Sequence, residues 1–199
     1  LKEKITGKLV IKEYPTATAN SNHFRHLIQE LRTKKNFKPD VIYIDYLNIC
    51  SSFRIRGGSN AGSYTIVKAI AEELRGLAVE LNVPIISATQ TNRQGYSSSD
   101  IGLEDTSESF GLPATADFMV ALSQTEELDH LSQFQVKQLK NRYADPGFHR
   151  KFVVGVDKSK MRLYDVEQSA QADIVDDTPL FDRSSGEKPN IKNIFDDFK

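Results

Sequence analysis

Two runs of the chain are apolar almost from end to end: VIYIDYLNI at residues 41–49 and VPIISAT at 83–89. Both are rich in β-branched or aromatic side chains, which suits strands buried on both faces of a parallel sheet. Between them, from about Tyr64 to Leu81, Ile66, Ala69, Ile70, Leu74, Leu77, Ala78 and Leu81 recur at helical spacing. Asn82 is placed to end that helix. A shorter helix is predicted from about His23 to Arg32, with Phe24, Leu27, Ile28 and Leu31 on one face. Asn20, Ser21 or Asn22 would cap it. KLVIK at 8–12 reads as a short strand.

Beyond the second run the pattern changes. Gln90 to about Ser109 is a long polar loop, and a short helix starts near Leu112. DFMVALS, FQVKQLKNR, FVVGVD and RLYDVE then read as closely spaced strands, the middle two joined by the turn-rich YADPGFHRK. Strand, helix, strand, loop, strand is the order of an open α/β sheet, and the closely spaced end implies antiparallel pairing there. From about Ser169 the chain is polar, acidic and poor in large apolar residues, so residues 169–199 are expected to be a disordered tail after a domain spanning 1–168.

Composition narrows the class. The 199 residues are 39% hydrophobic and 27% charged, as expected of a globular domain with a sizeable core. The net charge of −1 hides an asymmetry. Residues 165–199 hold nine acidic and four basic residues (−5), leaving +4 for 1–164, a body that permits nucleic-acid binding. No apolar stretch approaches the roughly 18–20 residues of a membrane span, and no signal peptide is visible. Cys50 lies alone in an apolar run, so a buried, inert thiol is expected. His23, His26, His130 and His149 are scattered without metal-ligand spacing and read as surface residues. The first residue is not Met, and a fragment of a longer protein is expected.

The chemistry concentrates at the ends of the two apolar runs. Asp45 ends a strand at the edge where open α/β sheets bind ligands. A carboxylate there either caps the next loop or reaches Mg²⁺ through water. Gln90 ends the second run one crossover later, so the two tips can lie side by side. Its amide suits a γ-phosphate, a water or the loop backbone. Gly57–Gly58 is not a phosphate loop, because no Gly-Lys-Ser/Thr follows it or occurs elsewhere.

IDYLN, then ELRGLAVELNVPIISATQTNR, DTSESFGLPATAD and KNRYADPG follow one another in order. Together they resemble the DnaB family of hexameric replicative helicases over roughly residues 8–167. SYTIVKAIAEELRGLAVE and GLPATADFM are closest to the T-even phage version. The resemblance implies a RecA-like P-loop NTPase core, as a partial domain, with a mostly parallel sheet flanked by helices on both faces and antiparallel strands at its end. It implies ATP, or another NTP, with Mg²⁺ held by Asp45 through water, and Gln90 as a sensor of the γ-phosphate. Lys140 and Arg142 match the family's K-x-R signature, which reaches the neighbouring subunit's nucleotide, with Arg142 as the arginine finger. The phosphate loop and catalytic glutamate are expected upstream, so these residues alone should not hydrolyse ATP.

DNA contact is expected from two loops. SSFRIRGGSN carries Arg54 and Arg56, which suit phosphates or simply keep the loop soluble. The segment around residues 105–117 matches the family's DNA-gripping loop, where Ser107, Ser109 and Gly111 would offer backbone donors and small side chains. Many relatives have Arg where Ser107 stands. Arg93 would link the sensor to that loop, and Tyr96 is a surface tyrosine or a base-stacking one. In the tail, PNIKNIFDDFK spaces Ile191, Ile194, Phe195 and Phe198 as a helix would, either as a frayed end or as a motif for a helicase loader or primase. The reading is a 5′-to-3′ motor on single-stranded DNA in the cytoplasm, the host's if phage-encoded. A RecA-like recombinase and a non-catalytic interaction module are the alternatives.

Overall fold

A computed structural model describes residues 7–55, 61–91, 101–103, 111–145 and 150–167. Arg56, Gly57, Gly58, Arg93, Tyr96, Ser107, Ser109, His149 and the acidic tail lie outside these residues. The chain divides into two units, residues 1–119 and 120–199.

Helix α1 (Ser21–Lys35) begins where its cap chemistry dictates. The Asn20 side chain accepts from the backbone N–H groups of Asn22 and His23, and His23 Nδ1 accepts from the Asn20 N–H at 3.2 Å. This reciprocal box satisfies N–H groups for which the first turn has no helical partner. His23 is exposed, as predicted, but it also completes the cap. Helix α2 (Ser63–Leu81) ends at Asn82, as predicted, with φ 53° and its N–H on the carbonyls of Ala78 and Val79. Asn36 closes α1 the same way at φ 47°. Asparagine enters the left-handed region more readily than most residues with a side chain.

Strands β1 (Ile42–Ile44) and β2 (Ile85–Ser87) pair in parallel, with Ile42 opposite Ile85 and Ile44 opposite Ser87. Parallel neighbours need a crossover, and α2 supplies it. Its face of Val67, Ile70, Ala71 and Leu74 packs with Ile44, Leu47 and Leu112. Its last turns bring Leu77 and Leu81 against Ile28, Leu31 and Val83. Ile42 and Ile85 touch both clusters, so α1 and α2 cover the same face of the pair.

The opposite face differs from the prediction. Tyr43 and Ile86 are register partners there and are 69% and 49% exposed. Alternate strand residues point to opposite sides, and among the described residues the helices pack on one side only. The predicted strand at 8–12 does not form, and Leu9 and Ile11 are more than four-fifths exposed. A strand needs a ladder partner for its backbone groups, and among the described residues none pairs with this segment. Cys50 is partly buried rather than enclosed, and desolvation pushes its thiol pKa up.

A five-residue helix, α3 (Gly111–Thr115), precedes β3 (Phe118–Ser123), close to the predicted start at Leu112. In the second unit β4 (Gln133–Asn141) pairs antiparallel with β5 (Lys151–Asp157), and β5 with β6 (Arg162–Asp165), as their spacing predicts. The sheet order is β3-β4-β5-β6. A Cβ on Gly155 would lie 2.3 Å from the ring of Tyr164, its partner across the ladder, so the ring rests where only glycine leaves room. Sequence reading missed helix α4 (Glu126–His130), too short for any periodicity. Its signal was Thr125, which caps the Leu128 N–H, followed by two glutamates in the first turn.

Leu77 is wholly buried and Val79, two residues on, is 74% exposed. Leu77→Ala should therefore lower stability by about 2–5 kcal/mol, and Val79→Ala should change it by less than about 0.5 kcal/mol. Urea denaturation of the two variants beside the parent checks the contrast.

Candidate nucleotide site

The parallel register fixes where the two strand tips emerge. Asp45 follows Ile44 directly, and Ala88 follows its register partner Ser87. Both tips therefore leave the same end of the sheet, and Asp45 and Gln90 lie just past them, both exposed. Side-chain and backbone bonds tie the tips together. Ser87 Oγ donates to the Ile44 carbonyl at 2.9 Å, the Leu47 N–H donates to the Ala88 carbonyl at 3.1 Å, and Thr89 Oγ1 donates to Asn48 Oδ1 at 2.8 Å. Leu47–Ile49 forms a single 3₁₀ turn, so the chain bends just past Asp45, and the Asp45–Tyr46 peptide bond is cis. Sequence reading did not single out Asn48 or Thr89, because polar side chains in a loop give no sign of which neighbour they meet.

Among the described residues no group of three or more His, Cys, Asp or Glu side chains is placed to hold a metal ion. One carboxylate suits Mg²⁺ that takes its remaining ligands from water and phosphate. The donor set fits a nucleotide-bound magnesium rather than a metal caged by protein.

Lys140 and Arg142 belong to the second unit. Lys140 lies near the end of β4, half-buried, and Arg142 follows that strand and is exposed. Asn141 between them turns the chain. Its Oδ1 accepts from the N–H groups of Tyr143 and Ala144 at 3.0 and 3.2 Å, while its Nδ2 donates to Gln138 Oε1 at 3.0 Å. This Asx turn sets the direction in which the chain leaves β4 at Arg142. Asn141, unnoticed in the sequence, thus shapes the turn within K-N-R.

Of the residues assigned to DNA, Arg54 and Gly111 are described. Gly111 is buried at the start of α3, and a Cβ there would meet Tyr64 Oη at 2.7 Å. Close packing thus explains glycine at this position whether or not its backbone meets a phosphate. Arg54 is anchored: Nη2 donates to Glu72 Oε2 at 2.7 Å and to the Ala69 carbonyl at 2.9 Å, and Nε to Glu73 Oε1 at 3.4 Å. The Glu72 carboxylate first, then Glu73, raise its pKa further above the usual guanidinium value. On the far side of α2, Arg75 Nη1 donates at 2.6 Å both to Asp117 and to the Thr115 carbonyl, fastening the end of α3 to the helix.

Comparison with known proteins accounts for this arrangement. The family model of the DnaB-like helicase C-terminal domain matches residues 3–152. The chain belongs to that family. It is 50% identical over 170 residues to the DnaB-like replicative helicase of Enterobacteria phage T4, a match covering 85% of this chain and 36% of the relative. It is 29% identical over 156 residues to the replicative DNA helicase DnaB of Mycoplasma pneumoniae, covering 72% and 32%. The chain thus spans about a third of the length of these curated relatives. Among solved structures, a DnaB-like replicative helicase, solved with attention to its interactions with primase, superimposes with a TM-score of 0.62 at 22% identity, over 75% of this chain and 36% of that one. A solved ATPase domain gives 0.61 at 21%, over 75% and 52%. The fold is therefore that of a RecA-like helicase ATPase domain, present in part. Among the described residues no helix is long and apolar enough to cross a membrane.

The Thr89–Asn48 bond should be measurable. Thr89→Val and Asn48→Ala should each lower stability by about 1 kcal/mol, with the double variant less destabilised than the sum. A double-mutant cycle read by urea denaturation checks it, and simple additivity would mean that the bond contributes nothing.

Proposed function

We propose that this DnaB-family chain is the carboxy-terminal part of an ATP-driven replicative helicase. In this reading, subunits form a homo-oligomeric, hexameric ring that moves 5′ to 3′ on single-stranded DNA and unwinds duplex at the fork. The observation that carries the reading is the parallel pairing of β1 with β2, which sends Asp45 and Gln90 out of one end of the sheet.

The roles follow from charge and position. Asp45 holds Mg²⁺ of a bound ATP, or another NTP, through water. Gln90 hydrogen-bonds the γ-phosphate or the attacking water and shifts with it, moving the loop that begins at Thr91. Arg142 of one subunit faces the neighbour's nucleotide and offsets the charge that builds on the transferring phosphoryl group, with Lys140 beside it. Exposure of Arg142 in the turn that ends β4 suits a trans-acting group. A site shared between subunits requires head-to-tail contacts, which close into a ring when the rotation permits. Arg56, Arg93, Ser107, Ser109 and Gly111 belong to the segments that meet DNA, and Arg54 stands at the base of the first of them. The acidic tail offers a place for a primase or loader in the host cytoplasm, and one fold relative is known for its interactions with primase.

In the full-length protein, Arg142→Ala should reduce DNA-stimulated ATP hydrolysis by about 10³-fold or more while nucleotide binding persists. Mixing it with an Asp45→Ala variant should restore part of the rate, because a mixed ring contains interfaces where intact Asp45 meets intact Arg142. Steady-state hydrolysis across mixing ratios checks this. A rate that stays at background, with subunit exchange demonstrated by fluorescence transfer, would exclude the shared site.

A further inference from the structure

Helix α2 carries one charged side chain on its buried face. The Glu73 side chain is 2% exposed, and among the described residues its partners are donors. Oε1 accepts from Ser52 Oγ, from the Arg54 N–H at 3.4 Å and from Arg54 Nε at 3.4 Å. Oε2 accepts from the Phe53 N–H at 3.2 Å and from Ser21 Oγ at 3.3 Å, Ser21 itself being buried. A carboxylate taken out of water is costly unless its lone pairs are satisfied, and here they are satisfied mainly by the segment that leaves the Asp45 strand. The same segment is bound a second time, where the Ser51 N–H donates to the Ala19 carbonyl at 2.7 Å and the Ala17 N–H to the Ile49 carbonyl at 2.8 Å.

We propose that Glu73 is a positioning residue for DNA-stimulated hydrolysis, fastening residues 52–54 to α2 and to the start of α1 so that they move as one piece with the Asp45 tip. This rests on the motor reading. Slack between Asp45 and residues 52–54 would let DNA displace the chain beyond Arg54 without the nucleotide site responding. Fixed at Ser52, Phe53 and Arg54, the connection transmits the shift. Arg54 then serves as a strap over Glu72 and Glu73 rather than as a phosphate ligand, because a phosphate would have to displace two carboxylates.

The test uses the full-length protein, with oligothymidylate as the DNA. Glu73→Gln keeps the volume but sets an NH₂ against a donor whichever way the amide turns. The ratio of DNA-stimulated to unstimulated hydrolysis should fall by about fivefold or more, with KM for ATP moving less than roughly twofold. Exchange at the Phe53 and Arg54 amides should rise by about tenfold. Arg54→Ala should lower the same ratio and leave the slope of log affinity against log salt unchanged, whereas a lost phosphate contact would reduce it by about 0.7. An unchanged ratio in Glu73→Gln, with those amides already exchanging faster, overturns the proposal. So does a salt slope that falls in Arg54→Ala. If Glu73→Gln does not fold, Ser52→Ala removes the neutral donor to Glu73 Oε1, along with the hydroxyl that accepts from the Arg54 and Ile55 N–H groups at 3.1 Å each. Its ratio should then fall by roughly twofold, and an unchanged ratio there overturns the proposal as well. A parent protein whose hydrolysis ignores DNA would defeat the motor reading itself, a result distinct from a stimulated parent with an equally stimulated variant.

Discussion

A parallel pair only three residues long has few ladder bonds to hold its register, so its alignment depends on what packs across it. Helix α2 does this with one continuous face, from Val67 through Ile70 and Leu74 to Leu77 and Leu81. A slip of one residue in β1 would turn Ile42 and Ile44 away from the helices and drive Tyr43 into them. Because Asp45 follows Ile44 directly, the burial that fixes the register also fixes where the carboxylate leaves the sheet. The bonds from Ser87, Leu47 and Thr89 then tie the second tip to the first.

Electrostatics does the finer positioning. Glu73 interrupts an apolar helix face, and a lone charge there would be destabilising. It persists because the chain leaving the Asp45 tip turns its N–H and hydroxyl groups toward it. Arg54 and Glu72 close the outer side of the same network. The network joins three pieces that are far apart in sequence: the start of α1, the segment after β1 and the middle of α2. A similar device, Arg75 on Asp117 and Thr115, fastens the end of α3 to α2.

The second unit follows different rules. Its strands β4, β5 and β6 are consecutive and antiparallel, held by local ladders that need no crossover. Asn141 ends the long strand with an Asx turn, which is how a short polar residue places Arg142 outside the ladder.

Much was legible in the sequence. The helix spacing of α2, its stop at Asn82, the Asn20 cap and the antiparallel end all follow from local rules, since propensity, period and capping act within a few residues. The order of DYL, TQTNR and KNR was enough to indicate the family. What remained hidden depends on distance in space. No local pattern marks Glu73 as buried, since a helical glutamate between Glu72 and Leu74 reads as surface. Nor does any pattern pair Thr89 with Asn48 or Arg54 with two carboxylates. The apolar character of KLVIK and of Tyr43 and Ile86 was read correctly but did not yield a strand or a second buried face. Burial and pairing belong to neighbours, and a residue's own chemistry only determines what it will accept from them.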